Sequence, residues 1–226
     1  MKKASDFFTS EQQQHIADAV KAAETRTVGE IVPVLATASG RYDRAEDIVG
    51  LLTALIVLTA GWIYCPAMHT VADWSHGALP SVAGLLTALG CVVAGFIAGS
   101  GLATWIPALR LPFILPAEMR EEVQRSARVA FMQQRVRKTA ASTGVLIYVS
   151  LFERQVVILP DHGISELHTP DVWQEVRDLL IDGLRRGDGA AGFQSAIAKC
   201  GDLLASSAPR EDEDTNELPN TLQFVD

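Results

Sequence analysis

The chain has 226 residues, 48% hydrophobic and 20% charged, with 27 acidic against 19 basic side chains and a net charge of −8. Its mean hydropathy of +0.18 is high for a water-soluble protein. The acidic balance, without a basic stripe or a nucleic-acid motif, argues against a nucleic-acid partner, and the three scattered cysteines, Cys65, Cys91 and Cys200, make no disulfide framework.

Ser10 with Glu11 behind it, then Ile16, Ala19, Val20 and Ala23 at helical spacing, predicts a capped amphipathic helix ending near Thr25. The polar opening "MKKASDFFTSEQQQHIADAV" lacks the basic segment and cleavage site of a signal peptide, so no cleaved leader is expected. "VGEIVPVLATAS" reads as a short apolar strand from Val28, with Pro33 suggesting an edge position or a bulge.

From Ile48 to Ala72 and from Gly77 to Leu109 there is no Asp, Glu, Lys or Arg. A helix over Ile48–Tyr64 reaches about 25 Å, and continuing to Met68 completes a hydrocarbon core of about 30 Å; the second run has length to spare. A helical hairpin buried in a soluble core is the alternative, but two such stretches are hard to bury in so short a chain, so a transmembrane hairpin over 48–109 is expected. Lys2, Lys3, Lys21, Arg26, Arg41 and Arg44 precede it, Arg110, Arg120, Arg125 and Arg128 follow it, and the loop "CPAMHTVADWSHG" has no Lys or Arg. By the positive-inside rule both termini and the soluble domain are cytoplasmic, with Trp62, Tyr64, Trp74 and Trp105 near the interfaces.

Cys91, Gly95, Gly99 and Ala103 repeat every four residues, which lets another helix approach closely: either the first helix of the same hairpin, through Gly50 and Ala54, or a second copy of the chain. In the loop, Cys65, His69, Asp73 and His76 have donor types that suit zinc or copper, although interfacial packing is the plainer reading.

Beyond Pro112 and Pro116, Met119, Val123, Ala127, Ala130 and Val136 mark a second amphipathic helix, whose basic side is either solvated or laid on anionic headgroups. "TGVLIYVSL" and "QVVILPD", joined by "FER", read as a β-hairpin. A helix follows from about Thr169, opened by Pro170 and Asp171, and another at "AAGFQSAIAKCGDLLASS". Residues 209–226 have the composition of an acidic, disordered tail. Strand, helix, strand in that order implies a right-handed parallel crossover that pairs the strands at Val28 and Gly144. Residues 1–47 and 110–208 thus form two parts of one α/β domain, a small α/β/α sandwich with a mixed, few-stranded sheet, and the hairpin is inserted in a connection, where insertions cost least.

"TGVLIYVSLFERQVVILPDHGI", with "VGEIVPVLA" before it and Trp173 and "RRGDGAAGFQSAI" after it, resembles the TPM domain family, and most closely a bacterial branch of uncharacterised membrane proteins with two transmembrane helices inserted in the domain. The matching positions are Gly144, Glu153, Arg154, Asp161, Gly163, Ile164, Trp173, Gly187, Asp188 and Gly192. The resemblance implies a compact α/β/α domain, and ties to weak acid phosphatase activity, to calcium binding and to maintenance of membrane complexes. Two departures stand out. A cytoplasmic domain meets little free calcium, and His162 occupies a turn position where a small or basic residue is more usual.

Asp161, at a strand end, and Asp188, in "RRGDG", are the candidate carboxylates; with Glu30 or Glu153 they would hold Mg²⁺ or Ca²⁺ through oxygen ligands and polarise a phosphoryl oxygen. The plainer reading makes both turn residues bonded to their own backbone. His162 beside Asp161 invites a general-base role, but neighbours at a strand end point in opposite directions, and no nucleophile elbow, Walker A, dinucleotide fingerprint, zinc-protease helix or C-x-x-C is present. The expected function is an interaction or accessory module for membrane complexes, partnered by the bilayer and by a membrane protein or a second copy. A metal-assisted phosphatase and a metal-binding sensor are the alternatives.

Overall fold

The computed structural model describes residues 2–68, 82–134, 136, 143–210 and 218–226, and these form two compact units, residues 41–116 and residues 2–40 with 117–226.

The larger unit is built on a four-stranded sheet of order β3-β2-β1-β4, with β1 Ile31–Ala36, β2 Val145–Ser150, β3 Gln155–Pro160 and β4 Gln223–Val225. β1 runs parallel to β2 and β4, whereas β2 and β3 form the expected antiparallel hairpin, in register from Val145↔Pro160 to Ser150↔Gln155. Every residue of β1 and β2 is buried, as strands covered on both faces must be. One face of the sheet, with Ile31, Leu35, Ile147 and Val149, packs on helices α1 (Ser10–Glu24), α6 (Pro170–Arg185) and α7 (Gly189–Ser207) through Ile16, Val20, Val176, Leu180, Phe193 and Leu204. The other face, with Val32, Val34, Leu146 and Tyr148, packs on α4 (Pro116–Gln133) through Val123, Ala127 and Ala130. This is the expected α/β/α sandwich. A one-turn helix α5 (His162–Ser165) follows β3.

Local signals account for most element ends. Thr9, not Ser10, caps α1: its hydroxyl accepts from the Gln12 N–H at 3.3 Å, and the Gln12 side chain accepts from the Thr9 N–H at 3.0 Å, a reciprocal capping box. Pro170 opens α6 from its first turn, and Gly187, at φ +81°, takes the left-handed position just past its end.

Two expectations are corrected. Pro33 lies in a central strand without a bulge, paired to Ile147. On β1 the even residues face β2, since the Val145 N–H donates to the Glu30 carbonyl, and the odd residues face β4. The Ile31 N–H on that side is taken by the Glu24 carboxylate, and β4 pairs only with Val34–Ala36, so a proline at 33 forfeits no ladder bond. The chain end is also not a disordered tail throughout, because Gln223–Val225 form β4 and the Asp226 carboxylate accepts from Ser5 Oγ at 2.8 Å, Thr37 Oγ1 at 2.8 Å and the Ala4 N–H at 2.9 Å.

The smaller unit is a helical hairpin of α2 (Asp43–Tyr64, 22 residues) and α3 (Val82–Trp105, 24 residues). At 1.5 Å per residue they are about 33 and 36 Å long, enough to cross a bilayer. Only 11% and 17% of their most apolar windows are buried, the reverse of a soluble core helix. What is buried is the small-residue face of Gly50, Ala54, Gly95, Gly99 and Ala103, while Leu51, Ile56, Leu85 and Ile97 project outward. A methyl group at Gly95 would meet the Ala54 Cα at 2.7 Å, so the stripe serves contact within the hairpin. Thr53, Thr59 and Thr87 return their hydroxyls to carbonyls one turn back at 2.8 Å, leaving these groups satisfied without water. Arg110, just past α3, pairs with Glu46 of α2 at 2.5 Å and ties the open end of the hairpin.

Candidate functional site

The parallel strands β1 and β2 end together, and α/β folds place ligands at such carboxyl ends. After Ser150 the chain turns through Leu151–Arg154 into β3, and the turn holds a buried carboxylate, Glu153. Glu153 accepts from the N–H groups of Ser39 and Gly40 at 2.9 and 3.2 Å and from the Ser150 hydroxyl. Ser39 Oγ lies 2.9 Å from Ser150 Oγ and 3.1 Å from the Tyr148 hydroxyl, which donates to Ser126 Oγ at 2.9 Å. The network therefore links the loop after β1 to the end of β2, the β2–β3 turn and α4. Each hydroxyl is engaged by another or by the carboxylate, so the arrangement positions the loop and offers no free nucleophile. Beside it lies a cleft of about 610 Å³ bounded by Phe7, Arg154, Gln155, Leu184 and Arg185.

The amino end of β2 holds the other candidate. Asp161 is buried and follows Pro160, the partner of Val145; its Oδ1 accepts from the His162 N–H at 2.8 Å, and its Oδ2 is buried with no hydrogen-bond partner among the described residues. A shallow groove of about 550 Å³ lies there, lined by Arg128, Phe131, Met132, Leu159 and Asp161. His162 also borders the groove; its exposed ring comes within 3.4 Å of Glu166. Asp188 caps α7, accepting from the Ala191 N–H at 3.0 Å. Its neighbour Gly189 sits against Phe8 and Leu184, at the carboxyl end of β2. The six-residue ladder of β2 separates the two sites by about 17 Å.

Asp161 and Asp188 are therefore not brought together; Glu30 shares an end of the sheet with Asp161, and Glu153 with Asp188. Among the described residues no three His, Cys, Asp or Glu side chains cluster as a metal site. A hard divalent cation wants six or more oxygens, so the donors present do not fit Ca²⁺ or Mg²⁺ at Asp161 and Asp188 as a shared site. Of the loop donors, His69, Asp73 and His76 lie outside the described residues.

The remaining motif positions are structural. A side chain at Gly144 would meet the Val136 carbonyl at 2.6 Å, and one at Gly192 would meet Gly183 Cα at 3.0 Å, where α6 and α7 cross closely. Gly163 and Ile164 lie in α5, with Ile164 in the core. Trp173 packs edge-on against His168 at 5.9 Å. Burial pushes the Cys200 thiol up to about 12. Sequence reasoning missed Ser39, Ser126 and Arg185; the signal it could have used is Tyr148 and Ser150 on the same face of an otherwise apolar strand.

Residues 114–203 match the TPM domain family. This TPM-matching segment runs from the entry of α4 into α7 and includes Glu153, Arg154, Asp161 and Asp188. Among solved structures the chain is similar to the NMR structure of the BA42 protein from the psychrophilic bacterium Bizionia argentinensis sp. nov., at 22% identity and a TM-score of 0.58 over 99% of each chain, a likeness of fold. No curated protein matches it.

Proposed function

We propose that the protein is a membrane-anchored binding module: the hairpin of α2 and α3 spans a bacterial inner membrane, and the TPM-like domain stands at its cytoplasmic face as an accessory to membrane complexes. The observation that carries this reading is the outward apolar surface of the hairpin, only 11% and 17% buried along its two apolar windows, which water would not tolerate and lipid would cover. The side follows from Arg41, Arg44 and Arg110 flanking the hairpin against a connecting loop with no Lys or Arg. A metal-assisted phosphatase using Asp161 and Asp188 is not favoured, because the two stand at opposite ends of β2.

Sidedness tests it. In intact cells a membrane-impermeant maleimide labels a Cys91→Ala variant at Cys65, at the turn of the hairpin, while buried Cys200, its thiol held at about 12, stays silent. A second variant, lacking Cys65 and carrying Ala198→Cys on the exposed side of α7, labels only after lysis. Labelling of Ala198→Cys in intact cells reverses the topology, and release of the protein by alkaline carbonate removes the anchor altogether.

A further inference from the structure

The cleft at the carboxyl end of β2 has a composition the binding-module reading does not use. Much of its lining is apolar, with Val149, Val156, Ile181 and Leu184 beside the polar Ser150 and Gln155, and Phe7, which also lines it, is partly exposed. Two arginines line it, Arg154 from the β2–β3 turn and Arg185 from the last turn of α6. Neither forms an ion pair among the described residues, whereas Arg26, Arg125 and Arg177 each have a carboxylate within 3.1 Å.

Arg154 also stands in a costly conformation. Its φ of +53° is left-handed, a position at the end of a tight turn that glycine or asparagine takes more readily. Strained residues of this kind point to function when the surroundings hold them in place. Here the preceding residue does so: Glu153 is fixed by Ser39, Gly40 and Ser150, so the turn presents Arg154 from a rigid base. Two arginines without an ion pair among the described residues, beside a largely apolar lining, suit a ligand with an oxyanion head and an apolar body, because charge-assisted bonds from arginine strengthen where water is partly excluded.

We propose that this cleft binds a small organic oxyanion, its head held between Arg154 and Arg185 and its apolar body lying against Phe7, Ile181 and Leu184. The source of the head group is open to a phosphate ester or a carboxylate, and two arms separate them. The full chain in dodecyl maltoside micelles is titrated calorimetrically with phenyl phosphate in one arm and phenylacetate in the other. At least one binds; which one names the head. Arg154→Gly and Arg185→Gln each weaken that binding about tenfold, the effect of losing one charge-assisted contact. Arg154→Gly keeps or raises the urea midpoint of unfolding, because glycine relieves the left-handed turn, so lost binding there is not lost fold. Arg185→Gln, at an exposed helix position, decides the matter on its own if Arg154→Gly proves less stable. Failure of both compounds to bind at millimolar concentration overturns the proposal, as does unchanged affinity in Arg185→Gln.

Discussion

Replacing Glu153 by alanine tests whether the polar network at the carboxyl end of the sheet is a structural pin. The change removes the acceptor of three donors, the N–H groups of Ser39 and Gly40 and the Ser150 hydroxyl. Hydrogen bonds to a charged group contribute about 1.5–3 kcal/mol each, but Ser39 and Gly40 are half-buried, so water replaces much of their loss, while the fully buried Ser150 loses the acceptor of its O–H and keeps only the bond from Ser39 Oγ. The net cost is about 3 kcal/mol, a large share of a typical domain stability of about 5–15 kcal/mol. With a urea dependence of about 2 kcal/mol per molar, the unfolding midpoint falls by about 1.5 M. Glu153→Gln keeps an acceptor oxygen for the two backbone groups and costs about 1 kcal/mol. The assay is urea unfolding of the full chain in micelles, followed by Trp173 fluorescence in a background where Trp62, Trp74 and Trp105 are phenylalanine. A shift below about 0.3 M for Glu153→Ala refutes the reasoning, and equal damage from alanine and glutamine shows that charge, not the bonds, is what counts.

The pin at the chain end is pH-dependent: the side-chain hydrogen bond from Ser5, then that from Thr37, holds the Asp226 carboxyl below the usual aspartate range. A depressed folded value stabilises above the ordinary value of about 3.9 and is lost as pH falls through the folded one. Asp226→Asn should therefore flatten the acid limb of the stability profile below about pH 4; superimposed profiles of the two proteins from pH 5 to pH 2 would remove Asp226 from that role. In the hairpin, a side chain at Gly99 would meet Thr53 Oγ1 at 2.5 Å and Gly50 Cα at 3.0 Å, whereas one at Gly101 would meet nothing within 4 Å among the described residues. Gly99→Leu should destabilise the hairpin by about 1–3 kcal/mol and Gly101→Leu hardly at all; heating in micelles with Trp62 and Trp105 as reporters measures both, and equal shifts would discard the close-packed face.

Periodicity within a few residues made much of the fold legible in the sequence: the charge-free runs that became α2 and α3, the small residues every four that turned inward, the β2–β3 hairpin joined by "FER", and the parallel pairing that a strand–helix–strand order demands. These are local properties, or follow from the handedness of a crossover, and no distant contact is needed to read them. The tertiary structure decided the rest. "LQFV" at the chain end is too short and too acidic in its flanks to announce a strand, and it became β4 only because β1 offered an unpaired edge some 190 residues earlier, as the bond from Thr37 to Asp226 across 189 positions records. Glu153 reads as a turn residue until the fold carries Ser39 to it across 114 positions. Asp161 and Asp188 look like partners in sequence, and the length of β2 keeps them apart. In each case the outcome depends on which distant segments meet, and a single chain encodes that only through the packing of the whole domain.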